Sequence, residues 1–141
     1  MPSARLGARA GVTLFHKCEN FQKTGSFKAR GALNKVDQLS ADARRRGVVT
    51  FSAGNHAQAL AWAAAAAGVN AVVVMPTWAS SAKVEASRGY GAEVLLHGAS
   101  GVETLAKANE LVEQRGLVFV HPFDDELIAA GQGTAALEML E

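Results

Sequence analysis

The sequence predicts an α/β fold: a parallel sheet between two layers of helices, three layers in all, with an incomplete second unit beside it. Three observations predict it. Four short runs rich in apolar and branched residues lie between Val48 and Val120. A segment with helical spacing separates each run from the next. The connections are tight, and parallel strands need helical crossovers of that kind.

In chain order, Met1 to Arg9 carries Arg5 and Arg9 but no apolar core of a signal peptide, and reads as a loose arm or the remnant of a truncated beginning. Val12 to Cys18 reads as a short strand. Phe21 to Ser26 reads as loop, with Thr24, Gly25 and Ser26 as turn and cap residues. From Lys28 to Leu39, Ala29, Ala32, Leu33, Val36 and Leu39 recur at helical spacing. Asp42 to Arg46 reads as a charged connector. Val48 to Phe51 is a buried strand, and His56 to Ala67 a helix stopped by Gly68. Ala71 to Met75 is a strand closed by Pro76, Ser80 to Arg88 a helix, and Glu93 to Leu96 a strand. Gly101 to Gln114 is a helix with Val102, Leu105, Ala108, Leu111 and Val112 on one side. Leu117 to Val120 is a strand closed by His121-Pro122. Leu127 to Ala130 reads as a short helical turn, and Thr134 to Leu140 as the start of a last helix. Residues 47–122 therefore form one α/β unit, while 1–46 and 123–141 belong to a second. The alanines from 63 to 67 read as a close-packed helix face.

The chain has 141 residues, 49% of them hydrophobic, enough for one domain with a normal core. A net charge of +1 gives no footprint for nucleic acid or a membrane surface. The single cysteine, Cys18, makes no internal disulfide and is compatible with the cytoplasm. No apolar run is long enough to span a bilayer. His16, His97 and His121 have no partner at metal spacing, so no metal site is expected.

Two stretches carry chemistry. Lys28 follows Thr24-Gly25-Ser26-Phe27 at the start of a helix, where the positive end of the dipole disfavours an ammonium. A neutral amine is what a Schiff base with an aldehyde requires. The free N–H groups of the same helix start suit a phosphate or carboxylate. Standing alone, Lys28 would read as one more surface lysine. Ser52-Ala53-Gly54-Asn55-His56 follows a strand and opens a helix, where doubly wound sheets bind ligands. It is equally a strand-to-helix turn with Gly54 at the bend and Asn55 as cap. Gly131-Gln132-Gly133-Thr134 reads as a tight turn into the last helix, since Gly-X-Gly alone is a weak signal.

The stretch Lys17 to Ala32, centred on Ser26-Phe27-Lys28, resembles the cofactor-lysine motif of the fold-type II pyridoxal-phosphate enzymes, in their threonine dehydratase and serine racemase group. Ser52-Ala53-Gly54-Asn55-His56-Ala57-Gln58 resembles that group's second motif, and Ala129-Ala130-Gly131-Gln132-Gly133-Thr134 its Ala-Gly-Gln-Gly-Thr turn. The resemblance implies a tryptophan-synthase-beta-like fold, with 1–46 and 123–141 in a large cofactor domain and 47–122 as the small domain. It implies pyridoxal 5'-phosphate as cofactor and an L-threonine/L-serine ammonia-lyase that yields a 2-oxo acid and ammonia. It implies a small hydroxyamino-acid substrate and, for the full-length family, a homo-oligomer.

By resemblance, Lys28 forms the Schiff base and then acts as base on the Cα proton. Phe27 lies against one face of the pyridine ring, and Asn55 hydrogen-bonds the phenolic oxygen. Ser52, Ala53, Gly54, Asn55 and His56 line the pocket for the substrate carboxylate. Pro76 to Lys83 resembles the segment that closes over substrate. At the position of Ala53 the racemases of the group commonly carry a serine serving the opposite face of the substrate carbon. A methyl group moves no proton, which favours a lyase over a racemase. The family's phosphate-cradling glycine run and its residue opposite the pyridine nitrogen have no counterpart here, so weak cofactor binding by this chain alone is expected. The rival readings are a serine racemase or related amino-acid lyase, and an inactive α/β fragment. A nucleotide-binding reading is weaker, because the turn after Phe51 lacks Gly-X-Gly-X-X-Gly.

Overall fold

Alternation along the strands sorts their side chains into two cores, one on each face of a sheet. The computed structural model describes residues 1–141. Its strands are β1 (Val48–Phe51), β2 (Ala71–Met75), β3 (Glu93–Leu96) and β4 (Val118–Phe119). They form one sheet in the order β3-β2-β1-β4, every pair parallel, with Val48 beside Ala71 on one side and Val118 on the other. Val48, Val73 and Met75 share one core with Ala57, Leu60, Ala61 and Ala64 of α4 (Asn55–Ala66). Val49, Val72 and Val74 share the other with Ala108 and Leu111 of α6 (Gly101–Arg115). The expected parallel sheet flanked by helices is therefore present.

The alanines of α4 are buried along most of its length, which lets a further helix approach closely. That helix is α2 (Lys28–Asp37), whose Ala32 and Val36 are fully buried in the same core. Each large side chain buried this completely, such as Leu60 or Val36, stabilises the fold by roughly 1.5–3 kcal/mol relative to exposure. Helix α5 (Ser81–Gly89) joins β2 to β3 and packs beside α4. Helix α7 (Glu126–Leu140) lies across α2.

The strand order positions the site. The chain leaves β1 through α4 to reach β2, whereas α6 returns from β3 to place β4 on the other side of β1. The order reverses between β1 and β4, and in open α/β sheets a ligand crevice forms at such a point, at the carboxyl ends of the strands. Ser52 follows β1 there, and His121-Pro122 follows β4.

Four local expectations are corrected. Residues 12–18 form no strand: they are mostly exposed, and only Phe15 makes a bridge, with Pro2. The amino-terminal arm contains a helix, α1 (Ala4–Ala10), closed by Gly11 in the left-handed conformation at φ +68°. The charged connector is also a helix, α3 (Ala41–Arg46). Ser40 caps it by accepting from the Ala43 N–H at 3.1 Å, and Asp42 pairs with Arg45 and Arg46 one turn on. Acid at the start and base at the end read as a connector but suit a helix dipole.

The fourth correction concerns Gly131-Gln132-Gly133-Thr134, which is no turn. Helix α7 runs straight through it. A Cβ at Gly131 would come within 2.6 Å of the Gly31 Cα and 2.8 Å of the Arg30 carbonyl. Gly131 thus serves a close crossing of α7 over α2 at Gly31, not a bend. No helix is long and apolar enough to cross a membrane.

Candidate active site

Lys28 is the first residue of α2. The turns before it are tight, with Thr24 in the left-handed region at φ +62°, a conformation that costs a non-glycine residue roughly 1–2 kcal/mol. Ser26 does not cap α2. Its hydroxyl, like that of Thr24, is buried without a hydrogen-bond partner. The cap comes from another helix: the Gly31 N–H donates to Gln132 Oε1 at 3.2 Å. That bond satisfies one of the donors a helix start leaves open.

The Lys28 ammonium donates to the Pro122 carbonyl at 2.8 Å, which brings it to the crevice beyond β4. It stands 5.3 Å from the centre of the Phe27 ring. Partial burial strips water from the amine and lowers its pKa below the ordinary lysine value. Phe27 is 42% exposed, an aromatic face left open beside the amine.

Ser52, Ala53 and Gly54 form the turn from β1 into α4, with the Gly54 N–H donating to Ser52 Oγ at 3.2 Å. Gly54, not Asn55, is the cap residue, and Asn55 is the first residue of the helix. The Asn55 side chain is exposed, and its Oδ1 accepts from Lys83 Nζ at 2.8 Å. His56 is 3% exposed, and neither ring nitrogen has a hydrogen-bond partner in the chain. Burial, then the nearby charge of Lys28, pushes its pKa down to about 4. Lys28 and His56 sit in separate motifs, and the packing of α2 on α4 brings their side chains within electrostatic reach.

At the carboxyl ends of the strands lies a cleft of about 280 Å³, lined by Phe51, Ser52, Ala53, Pro76, Trp78 and Phe123 among others. Pro122, whose carbonyl holds Lys28, lines it too. Its walls are mainly apolar. No group of three or more His, Cys, Asp or Glu residues could hold a metal ion.

The donor set fits the reactive end of pyridoxal phosphate. It offers a partly desolvated amine, an open aromatic face beside it, and buried polar atoms on Ser26 and His56 that lack partners. Behind it, Arg30 ties the region together. It pairs with Glu19 at 2.8 Å and Glu138 at 2.7 Å and donates to Thr134 Oγ1 at 2.9 Å, while Lys17 also pairs with Glu138. Arg30 and then Lys17 hold the Glu138 carboxyl down to about 2. Neither Gln132 as cap nor Lys83 as partner of Asn55 was anticipated from sequence. A lysine in the first turn of a helix was the available signal for Lys83, the same one that drew attention to Lys28.

These shifts set the acid sensitivity of the fold. The folded-state pKa of His56 lies below its unfolded value, so the unfolded chain takes up its proton first. Stability is full above about pH 6.5 and falls as pH drops toward about 4, by about 3 kcal/mol from this one group. The lowered carboxyl of Glu138 acts in the same direction at lower pH, as its ion pairs are lost toward pH 2. Urea unfolding at pH 7, 5.5 and 4.5 is expected to show a falling midpoint, and His56→Gln to flatten the upper part of that fall. An unchanged slope in the variant would assign the acid lability to other groups.

Comparison with known proteins follows the same lines. The family model described as pyridoxal-phosphate dependent enzyme matches residues 1–141. The chain is 48% identical over 139 residues to an L-threonine ammonia-lyase of Geobacter sulfurreducens, covering 99% of this chain and 35% of that protein. It is 49% identical over 128 residues to a catabolic L-threonine dehydratase of Escherichia coli K12, covering 91% of this chain and 39% of that protein. Among solved structures, maize serine racemase superposes with a TM-score of 0.96 at 41% identity, over 99% of this chain and 43% of that one. The processed form of threonine deaminase isoform 2 from Solanum lycopersicum gives 0.93 at 40% identity, over 99% of this chain and 38% of that one. The chain thus spans little more than a third of the length of the curated relatives it matches.

Proposed function

The chain belongs to the pyridoxal-phosphate-dependent enzymes, and from that premise we propose that it carries the reactive-lysine half of an L-threonine/L-serine ammonia-lyase. The observation that carries this reading is the placement of Lys28. Its amine is partly desolvated, is held by the Pro122 carbonyl, and reaches the crevice where the strand order reverses. When bound, the cofactor supplies the aldehyde that captures an amino group and the ring that takes up the electrons of the broken Cα–H bond.

The chain's own residues do the rest. Lys28, kept from full hydration, would hold the cofactor through its Nζ and would be the base that accepts the substrate Cα proton. Phe27 offers a flat face to orient the ring. Asn55 would donate its amide N–H to the phenolic oxygen. Ser52, Gly54 and the N–H groups that open α4 receive the substrate carboxylate, with Ala53 and His56 closing that pocket. The apolar cleft walls exclude water. The β-hydroxyl would leave as water, and the released enamine would hydrolyse with one water to the 2-oxo acid and ammonia. We assign residues 1–46 and 123–141 to the large cofactor domain and 47–122 to the small one. The whole protein is read as a cytoplasmic homo-oligomer on the family resemblance.

A serine racemase is the second reading, favoured by the superposition on the maize enzyme. Ala53 speaks against it, because racemisation needs a proton donor on each face of the carbon. The experiment is borohydride trapping of the chain with pyridoxal phosphate and mass mapping of the modified lysine. One dominant adduct at Lys28 is expected; adducts scattered over Lys17, Lys23, Lys83 and Lys107 would overturn the assignment. In the full-length protein, 2-oxo acid release from L-threonine and chiral analysis of serine separate lyase from racemase.

A further inference from the structure

Lys83 lies in the first turn of α5, near that helix's positive end, where an ammonium is disfavoured, and no carboxylate pairs with it. It is held instead by two amide oxygens of α4. Its Nζ donates to Asn55 Oδ1 at 2.8 Å and lies 3.4 Å from Gln58 Oε1. Asn55 and Gln58 are three residues apart and share a face of α4. Gln58 is buried, so the pair anchors the lysine at the mouth of the helix contact between α4 and α5.

An ammonium has only protons to give, whereas a carboxamide offers an acceptor at one end and donors at the other. A lysine bonded to Asn55 therefore settles which end faces it. The oxygen is taken by Lys83, and the NH₂ group is left free to donate elsewhere. A neutral or acceptor side chain at position 83 would leave the amide free to rotate, and a carboxylate would turn it round.

We infer that Lys83 is a positioning residue, which orients the Asn55 amide so that its N–H group points toward the cofactor. The inference rests on the reading of Asn55 as a cofactor contact. It adds a part to the site that lies on another helix and in none of the three motifs. It also gives a reason for Gln58 at the end of the second motif, as the second acceptor that keeps the lysine in place.

The test is a double-mutant cycle on the chain, read as the pyridoxal-phosphate concentration that half-saturates trapping at Lys28, with the absorbance maximum of the lysine-bound cofactor as a second readout. Mass mapping keeps adducts at Lys28 apart from any at position 83. Asn55→Ala is expected to raise the half-saturating concentration about tenfold, and Lys83→Met to raise it several-fold. The double variant is expected to be no weaker than Asn55→Ala alone, because Lys83 acts only through that amide. Lys83→Arg, also a pure donor, is expected to restore most of the loss and the absorbance maximum. Asn55 is exposed and Lys83 only half-buried, so circular dichroism should match the parent.

If Lys83→Met weakens trapping by the same factor with and without Asn55, its charge acts independently and the positioning role is overturned. If Asn55→Ala leaves trapping and absorbance unchanged, the cofactor contact of Asn55 falls and the role of Lys83 falls with it. Adduct formation at Lys28 would be untouched in that case, so the reactive-lysine reading would survive.

Discussion

Lys28→Ala is expected to abolish the site-specific cofactor adduct and to leave only the low, scattered labelling of exposed lysines. In the full-length protein the release of 2-oxo acid is expected to fall by at least ~10³-fold. The magnitude follows from two losses at one atom. A positioned base contributes roughly 10²–10⁴-fold by itself, and the covalent attachment that orients the cofactor is lost as well. No neighbour can take over: Lys23 is exposed before the turn, Lys83 is committed to Asn55, and His56 has no open path to solvent. The fold should survive, since Lys28 contributes one hydrogen bond, to the Pro122 carbonyl. Trapping and circular dichroism on the same sample separate the two effects. Retained 2-oxo acid release in the variant would remove Lys28 from the chemistry.

Gly131→Ala is expected to destabilise the fold by about 3 kcal/mol, and Gly133→Ala two residues away to be mildly stabilising. The added methyl at 131 would stand 2.6 Å from the Gly31 Cα, 2.8 Å from the Arg30 carbonyl and 2.9 Å from the Gly31 N–H nitrogen. All three are backbone atoms of α2, so no side chain can swing aside and the helices must part. Overpacking of this kind typically costs 1–3 kcal/mol. Parting α2 from α7 also threatens the Gln132 cap on Gly31 and the Arg30 bond to Thr134. At Gly133 nothing lies within 4 Å, and alanine there replaces the poorer helix former inside a regular helix, a gain of up to about 1 kcal/mol. Urea midpoints of the two variants test the pair. Equal behaviour would show that the glycines are not distinguished by the helix crossing. Gly131→Ala should also lower trapping at Lys28 at urea concentrations where the parent is fully folded, because it moves the helix that starts with that lysine.

The glycine pair shows where sequence reasoning stopped. Gly-X-Gly is the pattern of a tight turn, and nothing in residues 129–134 says that another helix will lie against one of the two glycines. The same limit applies to Asp42–Arg46, where charge masked a helix capped by Ser40, and to Val12–Cys18, where apolar alternation found no sheet edge to pair with. Ser26 was expected to cap α2 and does not; Gln132, more than a hundred residues later, does. The four strands and the helices between them were legible because each depends on its own periodicity. The helix start at Lys28 and the turn after β1 were legible because their signals are local: a cap run, a glycine, a polar stretch.

Composition, period and three short motifs were enough to set the α/β class and the family, and to single out Lys28 as the candidate lysine, since each is written in contiguous residues. The meeting of those residues was not. Strand order placed the ends of β1 and β4 side by side and so created the crevice. The close crossing of α7 over α2 aligned the helix that begins with Lys28. The packing of α5 beside α4 put Lys83 on Asn55. These are contacts between segments distant in the chain, fixed by shape complementarity and the exclusion of water from the cores, and no local pattern encodes them.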